Sequence, residues 1–234
     1  MFTIQDFKVE LANKLEVKDF VKKHGEFAAV CYDTPIEKAE SVGKHCLQSG
    51  HLSGSRHLYF VFRISCVPRS LIDQLVRHDV GVVKNVQSLR YVDKGEAVNI
   101  FIAPQIASNA DAKMTIMAVE NYINYQYKNI KETFAYTDMV QEELNQLART
   151  IIPIGIESAC SFAVNLEGLI NLANKRLCTR AELPIRTLVK KMVDLVVEQE
   201  PLYAPYLVPQ CEKLGYCPES KSCGRKNKKG KTCK

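Results

Sequence analysis

The 234-residue chain is 46% hydrophobic and 25% charged, a balance that suits one sizeable core or one large domain with an appendage. It contains no apolar run near the ~20 residues of a membrane helix, and MFTIQDFKVE lacks the basic and apolar regions of a secretory signal, so a cytoplasmic protein is expected. The net charge of +6 belongs to the tail: residues 221–234 hold seven Lys/Arg and no acid, and without them 25 basic residues face 26 acidic ones, so nucleic acid is not expected as a partner and the tail reads as a solvated, flexible terminus.

Imperfect alternation of Phe2, Ile4, Phe7 and Val9 predicts a strand over 2–10. Thr34-Pro35-Ile36-Glu37 is a helix start with Thr34 as cap, and that helix should stop before Gly50. His57 to Cys66 is rich in aromatic and β-branched residues and predicts a buried strand. Pro68 opens a helix carrying Leu71, Leu75 and Val76 on one side, and VGVVKNVQSLRYV then reads as a loop passing into a short strand. Residues 99–102 suggest another strand. Helical spacing follows over about 108–130 and again from Thr137, as cap, to Leu147, where Ile151-Ile152-Pro153 breaks it. Asn165 to Leu177 and Ala181 to Glu198 are helical, the last with Ile185, Leu188, Val189, Met192, Val193 and Val196 on one face. Strands come early and helices late, so the expected class is α+β, a mixed or antiparallel sheet with clustered helices. The expected boundary lies near Pro201–Pro209, giving a folded domain over 1–205 and a Cys/Lys-rich tail over 206–234.

Nine cysteines do not form a secreted disulfide pattern. Cys31, Cys46, Cys66, Cys160 and Cys178 sit among apolar residues and read as buried thiols. Cys211, Cys217, Cys223 and Cys233 cluster near the end with spacing that fits no paired C-x2-4-C zinc pattern; free thiols or partial disulfides are expected there, a tail metal site is the alternative, and no residue is assigned to a metal.

The chain lacks GxGxxG, a P-loop, HExxH and GxSxG. What stands out is a run of cationic and polar groups: Gln74, Arg77 and His78 at the end of one helix, then Gln87, Ser88 and Arg90 after a loop. Such a set suits an anionic, planar ligand such as a nucleotide, though Arg and His at a helix C-terminus are also ordinary surface charges.

Arg77-His78 followed by Ser88-x-Arg90-Tyr91 resembles the signature of the flavin-dependent thymidylate synthases (the ThyX type), R-H-R-x2-S-x-N-E-x-S-x-R. Ala28-Ala29-Val30-Cys31-Tyr32, Gly50-His51-Leu52-Ser53 with His57, Arg149-Thr150-Ile151-Ile152-Pro153 and the segment from Asn165 to Arg186 resemble further family segments, in order. The sequence departs from the family where Asp79 replaces the third residue of R-H-R, around Val82 and Asn85-Val86, and at Ala181-Glu182-Leu183-Pro184-Ile185.

The resemblance implies a ThyX-like fold and a homotetramer with sites at subunit interfaces. It implies methylation of dUMP with methylenetetrahydrofolate as carbon donor, FAD as cofactor and NADPH as reductant, without a cysteine nucleophile. It assigns Arg176 as the catalytic cation beside the uracil edge. Gln74, Arg77, Ser88, Leu89, Arg90, Arg149 and Arg176 would hold the nucleotide, and His51, Ser53, Arg77, His78, Asp79, Asn165 and Asn171 match flavin-contacting positions. Plainer roles stand beside these: Asn165 can cap its helix, His51 can mark a helix stop, and Arg176 can be a solvated terminal charge. Asn165 and Asn171 lie on nearly opposite helical phases. Asp79 reverses a charge beside an anionic cofactor unless it turns away or pairs with a cation such as Lys84. A family member retuned to another pyrimidine nucleotide or one-carbon outcome, and a non-catalytic nucleotide- or nucleic-acid-binding protein, are the competing readings.

Overall fold

The computed structural model describes residues 1–94 and 98–229. In chain order it contains β1 (Lys8–Leu11), α1 (Phe20–Ala29), α2 (Ala39–Gln48), β2 (Tyr59–Pro68), α3 (Arg69–Leu75) and β3 (Val82–Val86). Then come α4 (Ala110–Thr133), α5 (Gln141–Ala148), β4 (Glu157–Asn165), α6 (Leu166–Arg176), α7 (Leu183–Gln199) and α8 (Gln210–Leu214). The strands form a sheet in the order β1-β2-β4-β3. β3 runs antiparallel to β4, since Gln87 N–H bonds Ala159 O at one end and Asn165 N–H bonds Gly81 O at the other, each at 2.9 Å. Mixed helices and an antiparallel sheet make this the expected α+β class. The chain divides into two compact units, Met1–Lys8 with Ile64–Leu75 and Asn85–Cys160, and Val9–Arg63 with Val76–Lys84 and Ser161–Lys234.

In the first unit Val98, Ile100 and Ile156 form a buried cluster against which Leu89, Ile116, Ile123 and Ile152 pack. Residues 99–102 join by isolated bridges, Ile100 to Ile156 and Phe101 to Phe2, rather than as the expected strand. The strand expected over 2–10 shortens to β1, because Ile4–Asp6 closes a 3-10 turn whose cap Thr3 exchanges hydrogen bonds with Asp6. Thr137 does not start α5. Its hydroxyl donates to Phe134 O at 2.6 Å, closing the preceding turn, and the helix begins at Gln141 with Glu143 accepting from Val140 N–H at 3.1 Å.

The second unit contains α1, which the sequence pattern did not suggest. Gly25 is its contact point with α2: a Cβ on Gly25 would sit 1.7 Å from Ala39 O. The two helices therefore cross with backbone against backbone. Thr34 does not cap α2; its N–H closes back on Ala29 O at 3.1 Å, and a 3-10 turn over Ile36–Lys38 leads into the helix. Phe60 of β2 packs between Phe20 and Tyr203, with ring centroids 5.3 and 5.6 Å apart. On α7 all six residues of the predicted apolar face are buried.

Candidate active site

In the first unit the polar segment 87–91 is held from several sides. Arg69 of α3 donates Nη1–H to Gln87 O at 3.2 Å while its Nε–H engages Asp73 at 3.2 Å. Ser88 makes the turn: its Oγ accepts from Arg90 N–H at 3.3 Å and its carbonyl from Val92 N–H at 3.0 Å. Asn145 of α5, 1% exposed, donates to Arg90 O at 2.9 Å. Leu89 anchors the turn in the apolar cluster, so its backbone is the part left for a ligand. The Arg90 guanidinium lies over Tyr91 at 5.3 Å and reaches Glu142 at 4.0 Å, but its Nε–H is buried with no hydrogen-bond partner. An orphaned guanidinium donor costs free energy on its own and is satisfied by an acceptor brought by a ligand. Gln74 is half-buried on α3. Arg149, in the 3-10 turn after α5, is half-buried and makes no side-chain hydrogen bond or ion pair among the described residues.

In the second unit the segment 76–84 folds against the start of α6. His78 is 8% exposed, and its Nε2 accepts from Arg176 Nε–H at 2.9 Å. Burial, then the Arg176 and Lys175 charges, lowers the His78 pKa from 6.5 to about 4. The ring is therefore neutral at physiological pH, with its proton on Nδ1 and Nε2 free to accept. Arg176 is thereby oriented through one nitrogen, and its Nη groups have no protein partner among the described residues. Asp79 pairs with Lys84 at 2.6 Å, and Lys84 also donates to Val76 O. Lys84 holds the Asp79 carboxyl below its ordinary range and neutralises the charge reversal. Arg77 is exposed and unpaired among the described residues.

Asn165 ties three segments together. Its Oδ1 accepts from Gly168 N–H at 3.0 Å as helix cap, its N–H bonds Gly81 O, and its amide reaches Arg56 O at 3.5 Å. Gly81 has φ +61, and a Cβ there would lie 2.2 Å from Asn165 Oδ1. As the cap, Asn165 stands outside the helix proper, which removes the phase conflict with Asn171. Arg56 is itself held by Glu167 at 2.7 Å. His51 and Ser53 line a cavity of about 410 Å³ together with Ala28, Tyr32, Thr34 and His45. Beneath it His24, 2% exposed, bonds His51 O through Nε2 at 2.9 Å, and burial lowers its pKa. A donor bond to a carbonyl is what a neutral imidazole makes there.

The sequence reading missed His24, Arg69, Asn145 and Glu142. Each positions a backbone or a guanidinium rather than facing open space, and such a role leaves no pattern in a linear sequence. Lys84 was legible as the partner of Asp79.

The family described as thymidylate synthase complementing protein matches residues 16–202. The flavin-dependent thymidylate synthase of Nitratidesulfovibrio vulgaris is 34% identical over 181 residues, covering 76% of this chain and 73% of that protein. That of Clostridium tetani is 32% identical over 202 residues, covering 82% and 80%. That of Pyrococcus abyssi is 30% identical over 177 residues, covering 73% and 69%. The chain belongs to the flavin-dependent thymidylate synthase family.

Proposed function

We propose that this chain methylates C5 of dUMP to give dTMP, with methylenetetrahydrofolate as carbon donor, NADPH as reductant and FAD as cofactor. The observation that carries the reading is Arg176 held by the buried, neutral imidazole of His78 at 2.9 Å. C5 of a uracil ring becomes nucleophilic as negative charge spreads over N3 and the ring carbonyl oxygens. A guanidinium already oriented toward that edge stabilises the charge without reorganising at the moment of reaction. Arg176 is the catalytic cation of this reading, and His78 positions it by accepting at Nε2. Ser88, Arg90 and Arg149 hold the phosphate, with Arg90 bringing its unpartnered Nε–H. Gln74, Arg77 and the Leu89 backbone complete the nucleotide contacts.

The residues fit a flavin nucleotide. The cavity at His51 and Ser53 combines hydroxyls, imidazoles and the exposed Tyr32 ring, and its size suits one moiety of a dinucleotide. When bound, the flavin supplies the reducing equivalents that complete the methyl group. His51, Ser53, Arg77, His78 and Asn171 would hold it. Asn165 shapes the 79–81 loop, and Asp79, neutralised by Lys84, contributes through backbone rather than charge.

The chain acts as a homotetramer in the cytoplasm, with each site completed by neighbouring subunits. Support for assembly comes from α4, where Met114, Met117, Tyr122 and Tyr125 are exposed while Tyr127 is buried. No helix among the described residues is long and apolar enough to cross a membrane. The catalytic body ends near residue 205, and 206–234 is an appended segment.

The test is an absorbance spectrum of the purified protein followed by tritium release from dUMP labelled at C5, with methylenetetrahydrofolate and NADPH. Bound flavin with tritium release is expected. Bound flavin without release points to another pyrimidine nucleotide, and protein that takes up no flavin overturns the reading.

A further inference from the structure

Four cysteines play no part in the proposed reaction. Cys178 lies just past α6, Cys211 is on α8, and Cys217 and Cys223 are in the loop that follows. All four line one cavity of about 20 Å³, room for a single water-sized particle. The spacing of the last three alone fits no paired zinc pattern; the fold supplies Cys178 as a fourth sulfur from a distant helix end.

Other features of the cavity point to an occupant. Asn174 lines the same space, and its Oδ1 is buried with no hydrogen-bond partner. Gly224, directly after Cys223, has φ +88, and its N–H donates to the Ser222 hydroxyl at 3.1 Å, so the turn that carries Cys223 is fixed. Cys217 is buried and fixed by its N–H to Asn227 O at 2.8 Å. The charge also fits. Four thiolates on a divalent cation leave two negative charges, and the cavity is lined by Arg180, Lys221, Arg225 and Lys226. Arg180 and Arg225 already pair with Glu219 and Glu212, while Lys221 and Lys226 have no ion pair among the described residues.

We propose that Cys178, Cys211, Cys217 and Cys223 bind one zinc ion as a structural tetrathiolate that clasps the C-terminal segment to the end of α6. Among the described residues no three Cys, His, Asp or Glu side chains are already closed into a metal-holding group. Binding therefore draws the four sulfurs inward around the cavity. Every described cysteine is a free thiol and available to do so.

The test uses the full chain, expressed with zinc, purified under reducing conditions and analysed by plasma mass spectrometry. The expected result is one zinc per chain, lost in the double variant Cys217→Ser/Cys223→Ser and kept in Cys31→Ser. Cobalt in place of zinc should give the sulfur-to-metal charge-transfer absorption of a thiolate site. Differential alkylation of the unmodified chain keeps the test decisive if the double variant does not fold. With zinc bound the four cysteines should resist labelling while exposed Cys31 reacts, and a chelator should open them. Background zinc in the reduced protein, stoichiometric zinc surviving in the double variant, disulfides among the four, or labelling of all four at the Cys31 rate would each overturn the site.

Discussion

His78 and Arg176 are coupled through a bond that exists only while His78 is unprotonated. Because Nε2 of His78 accepts from Arg176, replacing Arg176 by Lys removes both the fork and the orientation. Arg176→Lys is expected to lower kcat on the order of 10²–10³-fold with flavin still bound, checked by steady-state kinetics and the flavin spectrum. The folded-state pKa of His78 is lowered from 6.5 to about 4. Above the ordinary imidazole range both folded and unfolded chains are neutral at this residue, and stability does not depend on it. As pH falls from about 6.5 to about 4, the unfolded chain binds a proton that the folded chain refuses, so stability drops and then levels off. The loss is at most about 3 kcal/mol. Denaturant titrations across that range should show it, and His78→Gln, which cannot titrate, should flatten that part of the profile.

The 79–84 loop and the start of α6 form a joint whose fit depends on a missing side chain. Gly81 lies in the left-handed region, against the Asn165 amide that caps α6. An alanine there meets both backbone strain of about 1–2 kcal/mol and a steric clash. Gly81→Ala is therefore expected to destabilise the chain by about 2–3 kcal/mol and to lower flavin occupancy. The checks are a melting curve and the ratio of flavin to protein absorbance. Unchanged occupancy in a folded variant would detach this loop from the cofactor. Asp79, by contrast, is solvent-exposed and compensated by Lys84, and Asp79→Asn should change flavin occupancy far less than Gly81→Ala.

For the whole molecule, α4 presents an apolar stripe. Met114, Met117, Tyr122 and Tyr125 fall within about 140° of arc at 3.6 residues per turn. Tyr122 is 64% and Tyr125 67% exposed, high for aromatic rings on one helix face. A second copy of the chain covering this stripe is the assembly proposed above. Tyr122→Glu with Tyr125→Glu is expected to shift the light-scattering mass from tetramer to a smaller species and to abolish tritium release. A tetramer that persists would place the interface elsewhere.

Much of this was legible in the linear sequence. The six-residue apolar face of α7 follows from 3.6 periodicity, and the order of the motifs around Arg77, Ser88, Arg149 and Asn165 indicated the family, because residue chemistry and local spacing are written directly in the chain. β4 was missed because its inward face runs Ser158, Cys160, Phe162, Val164; the small residues mask the alternation that burial makes plain. α1 was missed because its packing, Gly25 against the backbone of α2, is a contact between separate segments. The pairing of His78 with Arg176 and the meeting of Cys178 with Cys211, Cys217 and Cys223 around one cavity belong to the tertiary structure. Sequence spacing specifies neighbours within a turn or a strand; contacts between distant segments depend on sheet register and helix packing, which decide protonation, orientation and charge only once the chain has folded.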